Sequence, residues 1–419
     1  MRQVVHEVRL PLSDVCLYTW WNRKVRTSME PVRPADRIAL IDVIRGVALL
    51  GILLANMRGF AAPFAVYFSP DKLWPGFGDR LAQAALDCLV SGKFISIFAA
   101  LFGLGFAIQM ERAEARQEGL GFFRRRMAVL ALIGLAHSFL LWWGDILLTY
   151  ALAGFLLTGF RGRTSPSVLR WAVGLYLSFL LPMGVWWAVS LTGAAPAIPD
   201  AAPEEIRKTI EIYSAGSFSR IFVERAREWV ALNTPILIFV PRILSLFLFG
   251  VCFWRCGWLR HPEAHEDWWK RAQRIGLAAG LPLNLLMVAV QWIWRPHPLG
   301  ASTPAMVMML AGMAGVPLLS LFYAATIVRT FQTAAGRLWL EPFAAVGRMA
   351  LTNYLTQSLV ATTLFYSYGF GLFGRFGPLS LLPPSFAIYF AQVLFSRWWL
   401  ARHERGPAEW LWRRLTYAA

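Results

Sequence analysis

The sequence predicts an all-α fold: a polytopic helical membrane protein with about ten transmembrane helices and both termini in the cytoplasm. Three observations lead there. Of the 419 residues, 57% are hydrophobic and only 16% charged, and the mean hydropathy is +0.49, well above what a soluble domain carries. Apolar runs of about 17–25 residues recur along almost the whole chain, each long enough to cross roughly 30 Å of hydrocarbon as a helix. Basic residues alternate between successive connecting segments, as the positive-inside rule requires. A soluble globule is thereby excluded. The net charge of +17 would raise nucleic-acid binding in a soluble protein, but here it reads as topology, and no nucleic-acid partner is expected.

Residues 1–36 carry several basic side chains without a continuous apolar core. They read as a cytoplasmic N-terminal extension and not as a signal peptide. Met29 stands just before the first span, so an over-extended start is an alternative reading of residues 1–28. The transmembrane domain runs from 37 to 400, with spans at 38–57, 93–110, 127–144, 146–160, 168–192, 235–254, 273–294, 305–328, 343–366 and 381–400. With the N-terminus inside, about 27 basic residues fall in inner segments and about 10 in outer ones. The strongest inner signals are Arg124-Arg125-Arg126, Lys270-Arg271 and the basic tail 401–419 with Arg402, Arg405, Arg413 and Arg414.

Residues 79–92 read as an interfacial helix leading into the second span. The longest outer segment, 193–234, reads as one or two amphipathic helices, because Pro196, Pro199 and Pro203 precede a stretch dense in Glu, Arg and Lys. Trp142-Trp143, Trp186-Trp187, Trp254, Trp258, Trp292 and Trp398-Trp399 lie near span ends and are expected as interfacial anchors. Gly276 and Gly280 form a small-xxx-small pair for close helix packing. The 4 cysteines are too few for a disulfide framework. Cys252 and Cys256, one turn apart, have no accompanying ligands, so they are read as packing residues and no metal site is expected.

Ionisable side chains deep in a span are costly unless they face a partner or water, so each is a functional candidate beside the plainer reading of an inter-helix ion pair. In the first span Asp42 and Arg45 lie three apart, and Asn56 follows eleven later. Eleven residues are close to three helical turns, so Arg45 and Asn56 share a face about 16 Å apart in height. In the ninth span Arg348, Thr352 and Thr356 form an i, i+4, i+8 row with Asn353 and Gln357 beside it. Two guanidiniums at one depth, with Asp42 as the nearest carboxylate, suit an anion. A second group, in the outer half, comprises Asn56, Lys93, His137, Asp145 and Arg242. His137 is the only histidine of the 6 within a span. It reads either as a neutral imidazole bonded between helices or as a general base oriented by Asp145.

The string from Arg37 to Asn56, containing Asp42-Val43-Ile44-Arg45-Gly46, resembles the opening signature of the YeiB-like family of bacterial inner-membrane proteins. Further strings carry the likeness: Lys93-Phe-Ile-Ser-Ile-Phe, Gly103-Leu-Gly105, Leu-Leu-Trp-Trp-Gly-Asp145, the run from Gly347 to Ser358, and the run from Arg405 through Glu409 to Arg413. More distantly, the first span is similar to that of heparan-alpha-glucosaminide N-acetyltransferase and the membrane acyltransferases grouped with it. Those enzymes move an acyl group from cytoplasmic coenzyme A to an acceptor across the membrane. No histidine lies between Asn56 and Lys93, where those acetyltransferases carry theirs, so the resemblance implies that His137 substitutes from another helix.

The implied function is acyl transfer in the inner membrane, without a tightly bound cofactor and with a coenzyme A thioester as co-substrate. Arg45 and Arg348, with Asp42 as their internal partner, would hold the donor, and Arg242, Asn353 and Gln357 are further substrate-binding candidates. His137, Asp145, Asn56 and Lys93 would act on a small-molecule, lipid or glycan acceptor. The alternatives are a transporter or exporter of a small anionic or acyl-bearing solute, and a scaffold whose buried charges only fix helix packing. No nucleotide-binding glycine loop and no Gly-x-Ser-x-Gly elbow is present in the sequence. The lipid bilayer is the expected surrounding partner, and oligomeric state stays open, a homo-oligomer included.

Overall fold

The computed structural model describes residues 39–66, 73–115, 117, 119–193, 201–233, 236–296, 300 and 302–417, so the N-terminal extension lies outside the described residues. Among these residues every regular element is helical. In chain order they are α1 (Ala39–Ala61), α2 (Phe77–Leu89), α3 (Lys93–Ala115), α4 (Gly121–Leu140), α5 (Leu147–Leu157), α6 (Ser165–Leu177), α7 (Leu180–Leu191) and α8 (Pro203–Ala215). There follow α9 (Phe218–Asn233), α10 (Ile236–Arg255), α11 (Glu266–Trp294), α12 (Thr303–Phe331), α13 (Ala334–Arg348), α14 (Ala350–Phe365), α15 (Leu382–Leu400) and α16 (Pro407–Tyr417). Five helical stretches of the described residues are long and apolar enough to cross a membrane: Ala39–Ala61, Phe77–Ala115, Ser165–Leu191, Pro262–Trp294 and Thr303–Phe331.

α1 is the axial element, since it packs on α3, α13, α14 and α15. Its crossing with α13 is set by two glycines. A Cβ at Gly46 would lie 2.0 Å from the Phe343 carbonyl oxygen, and one at Gly347 would lie 1.9 Å from that of Asp42. Only backbone without a side chain fits there, and the contact places Arg45 and Arg348, each next to one of these glycines, at the same crossing. Gly103 and Gly250 do the same for α3 and α10, against the carbonyls of Phe247 and Ala100. The small-xxx-small pair on α11 meets α12 as expected, since a Cβ at Gly276 or Gly280 would come within 2.7 Å of that helix's backbone.

Helices occupy each of the ten windows read from the sequence, with two corrections. The ninth window is not one helix: α13 ends at Arg348, Met349 leaves helical geometry at ψ 36°, and α14 starts anew at Ala350. The i, i+4, i+8 row through Arg348, Thr352 and Thr356 assumed an unbroken helix and does not form. The fifth window is one helical stretch, Ser165–Leu191, whose hydrogen-bond ladder is interrupted at Ser178–Phe179 without leaving helical geometry, where Pro182 cannot donate to the Ser178 carbonyl four residues earlier. In the third, α4 stops at Leu140, so Trp142, Trp143 and Asp145 sit in the turn that leads to α5.

That turn also corrects the role of its tryptophans. Trp142 and Trp143 are buried, and the Trp142 indole donates to the Gly59 carbonyl at 2.9 Å. They are core residues, not interfacial anchors, because the turn folds inward over the end of α1. Trp254 is buried as well. The segment expected to be amphipathic forms α8 and α9, which cover the Asn56 end of the bundle. There Phe64 N–H donates to Glu228 at 2.9 Å, Tyr213 donates to the same carboxylate at 2.6 Å, and Arg225 donates to the Phe139 carbonyl at 2.7 Å. Glu228 is fully enclosed by this packing, and burial pushes its carboxyl up to about 7.

Candidate functional site

One cavity of about 1960 Å³ runs along the bundle. Its wall follows α1 from Ile41 to Asn56 and α3 from Gly92 to Ala115, which at the helical rise is about 23 Å and about 34 Å of depth. Pockets for compact small molecules are roughly 300–1,000 Å³, so this one accommodates a larger, extended ligand.

One end is strongly basic. Nine arginines and five carboxylates line the cavity, and most of the arginines gather where α1 and α4 begin, α3 and α10 end, and α13 gives way to α14. Arg45 donates to Asp42 at 2.8 Å and keeps about a quarter of its side chain exposed. Arg348 lines the same wall and donates to the Glu404 carbonyl at 3.3 Å. Arg260 pairs with Glu111 at 2.6 Å, and Arg125 is exposed at the opening. With carboxylates already engaged by Arg45 and Arg260, the wall retains an excess of positive charge.

The tail helix α16 completes this end. The Glu409 carboxylate accepts from the Leu351 and Thr352 amides at 2.6 and 3.1 Å and from the Thr352 hydroxyl at 2.5 Å. It therefore caps α14 from a separate segment, satisfying amides that a helix start leaves unbonded and adding negative charge at the positive end of the dipole. This cap stabilises the restart after Met349 and with it the position of Arg348. Nothing in the local sequence marks Glu409 as a cap for a helix that starts at Ala350. The available signal was its acidic character alone, within Arg405-Gly-Pro-Ala-Glu409 and opposite a basic tail.

Toward the other end the cavity reaches Asn56, Ser96, Asp145 and Tyr354, with Arg242 partway along. Arg242 sits over the rings of Tyr176 and Phe179 at 5.8 and 6.0 Å, an arrangement that holds a guanidinium by its face. His137 does not line the cavity. Its Nδ1 lies 2.9 Å from Asp145 Oδ1 and its Nε2 2.8 Å from Ser358 Oγ, and both members of the His137–Asp145 pair have essentially no exposed side chain. Asp145 Oδ2 accepts from the Leu148 amide at 2.9 Å, which starts α5. Tyr354, one turn before Ser358, faces the cavity and packs its ring 5.2 Å from the imidazole. The general-base placement of His137 is thus corrected to one layer behind the wall, since α4 turns this residue toward α14 and the 141–146 turn.

Three other expected site residues are also absent from the cavity lining. Lys93 is fully buried and donates to the Asp87 carbonyl at 2.6 Å. Beside it Arg58 pairs with Asp87 at 3.2 Å, an ion pair that sequence reasoning missed. Asn353 donates to the Val346 carbonyl and to Ser396, while Gln357 donates to Gln392, which in turn donates to the Asn353 carbonyl. These amides bond α14 to α15. Depth in a span signalled all three, but it could not distinguish a cavity wall from a helix interface.

Comparison with known proteins identifies the family. The chain is 34% identical over 408 residues to the uncharacterized protein YxaH of Bacillus subtilis (strain 168), covering 93% of this chain and 97% of that one. It is 32% identical over 394 residues to the uncharacterized protein YeiB of Escherichia coli (strain K12), covering 92% of this chain and 97% of that one. The chain belongs to the YeiB-like family. In this YeiB-like protein, residues 253–419 also match the family described as a protein of unknown function, DUF418. That span contains both Arg348 and the Glu409 cap of the YeiB-like site. No solved structure matches the chain.

Proposed function

We propose that this YeiB-like protein is a transmembrane acyltransferase that takes an acyl-coenzyme A at the arginine end of its cavity and passes the acyl group to an acceptor entering from the Asn56 end. The observation that carries this reading is one continuous cavity with a strongly basic end and a polar end at Asn56, Ser96, Asp145 and Tyr354, large enough for an extended anionic donor. In the transfer, the acceptor's oxygen or nitrogen attacks the thioester carbonyl, the carbon–sulfur bond breaks, and the acceptor's proton leaves with the thiol. Arg45 and Arg348 bind the anionic donor, and Asn56 offers an amide N–H to the developing oxyanion. His137 is a positioning residue that holds the Asp145 turn and Tyr354 from behind.

The same reading places the protein in the bacterial inner membrane, with ten crossings, the arginine end in the cytoplasm and α8–α9 outside, in accord with the distribution of basic residues. A thiol engineered at Ser217 should react with an impermeant maleimide from outside, and one at Gln117 should not. The reverse pattern would overturn the topology.

One observation favours a second reading. A general base must come within about 3 Å of the proton it takes, directly or through one water, and the buried imidazole is sealed from the cavity. A carrier of an acyl-bearing anion needs no such base. Purified protein in proteoliposomes separates the two readings: thiol release from enclosed acyl-coenzyme A, dependent on acceptor and lost in Arg45→Met, supports transfer. Uptake of an intact acyl anion without thiol release supports the carrier.

A further inference from the structure

The opening of the cavity carries a feature that the arginine count does not explain. Arg260 Cζ lies over the Trp254 ring, 4.2 Å from its centroid, the guanidinium is held by Glu111 at 2.6 Å, and the Trp254 indole donates to that same carboxylate at 2.9 Å. The three side chains close a triangle, and all three line the cavity. Trp254 is buried beneath, whereas Arg260 keeps 42% of its side chain exposed, so the guanidinium presents a pinned, planar, cationic face. A second stack, Arg126 over Trp412 at 3.9 Å, lines the same opening, and there the indole donates to the Arg126 carbonyl at 3.0 Å.

A phosphate needs charge but no flat surface. A guanidinium backed by an indole is a platform for another π-system, since aromatic bases stack on Arg planes and on rings with sequence-tolerant affinity. Its ordering cost is already met by the Glu111 contact. We propose that the opening holds a purine nucleotide moiety, with the base stacked on the Arg260–Trp254 or Arg126–Trp412 platform and the phosphates on Arg125 and its basic neighbours. This inference rests on the acyl-coenzyme A reading for the identity of the donor, because the nucleotide end of that molecule would sit at the opening while its thioester arm extends along the cavity. A free nucleotide is the other source of the same chemistry.

The test is calorimetric titration of the full chain in detergent with adenosine 3′,5′-bisphosphate, coenzyme A and 4′-phosphopantetheine. The bisphosphate should bind and compete with coenzyme A. Arg260→Lys, which keeps the charge and loses the plane, should weaken both about tenfold and leave 4′-phosphopantetheine unchanged. Trp412→Ala makes the same test of the second platform: a loss in one variant alone says which platform holds the base, and Glu111→Gln or Arg126→Lys replaces whichever of the two fails to fold. Coenzyme A binding more tightly than the bisphosphate identifies the thioester donor as the source, and equal affinities identify a free nucleotide. In the second case the platform stands while the acyl-transfer reading falls. If 4′-phosphopantetheine binds as tightly as coenzyme A, or neither variant changes bisphosphate affinity, the platform is overturned even where acyl transfer is detected.

Discussion

Two regions of this molecule hold charged or titratable groups at depths a bilayer disfavours, and they differ in what those groups face. At the arginine end, guanidiniums line a cavity: Arg45 pairs with Asp42 and reaches the Gly347 carbonyl of α13, Arg348 donates to the Glu404 carbonyl just ahead of the tail helix, and arginines outnumber carboxylates along that wall. At the Asn56 end, Asp145, His137 and Ser358 face one another, as do Lys93 and the Asp87 carbonyl. Polar groups inside a membrane protein thus divide by partner. Those bonded to neighbouring helices set the bundle, and those left on a cavity wall are available to a ligand.

The sharpest way to break that division is at the crossing of α1 and α13. Arg45→Met should weaken anion binding by roughly 30-fold or more, the scale of losing a charge-assisted contact in a desolvated site, while the melting temperature of the purified protein changes little. Adding Asp42→Asn should not restore binding. Restoration would show that the two charges merely neutralise each other, and the arginine end would then resemble the other one.

A pH effect comes next. Glu228 titrates near 7 when folded, against an ordinary carboxyl value near 4.5. Between those values the folded state holds more protons than the unfolded one, so stability is full below about pH 4.5 and declines as pH rises through 7. The loss is on the order of 3 kcal/mol. Its neighbours are the Tyr213 hydroxyl, the Phe64 amide, Glu224 and Arg225. Once the base-catalysed intrinsic rate is divided out, the protection of α8 and α9 amides against hydrogen exchange should therefore be lower at pH 8 than at pH 5.5, and Glu228→Gln should flatten that dependence. An unchanged difference in the variant would assign it to another group.

His137→Leu should cost about 1–3 kcal/mol, because Asp145 and Ser358 lose a partner in a dry interior. Its double-mutant cycle with Ser358→Ala should show coupling. If instead the variant melts like the parent while turnover disappears, His137 acts in chemistry and the division of roles fails at this residue. The smallest effect expected is that of Glu409→Gln, about 1 kcal/mol from weakening the cap on α14, read as a lower melting temperature with a modest rise in the dissociation constant for the anion. Full stability with unchanged binding would remove the cap from the account.

Much of this was legible along the chain. Residue spacing put Arg45 and Asn56 on one face of α1, and both line the cavity. The pairing of His137 with Asp145 was also readable, since a buried imidazole needs a partner and that carboxylate is close in sequence. Ser358 was not, because nothing local links α4 to the middle of α14. The role of Glu409 was equally hidden, since the helix it caps begins 59 residues earlier, at Ala350.

By itself the sequence determined the class, the windows in which helices form, and the inventory of polar groups set among apolar ones, because hydropathy and helical period are local properties. Tertiary structure alone decided which of those polar groups meet a ligand. Lys93, Asn353 and Gln357 have the same credentials of depth as Arg45 and Arg348, yet they bond to backbone and to α15 and do not line the cavity. Periodicity states which residues share a helix face, but whether that face meets a cavity, another helix or lipid depends on how neighbouring helices pack, here on backbone contacts as close as those of Gly46 and Gly347.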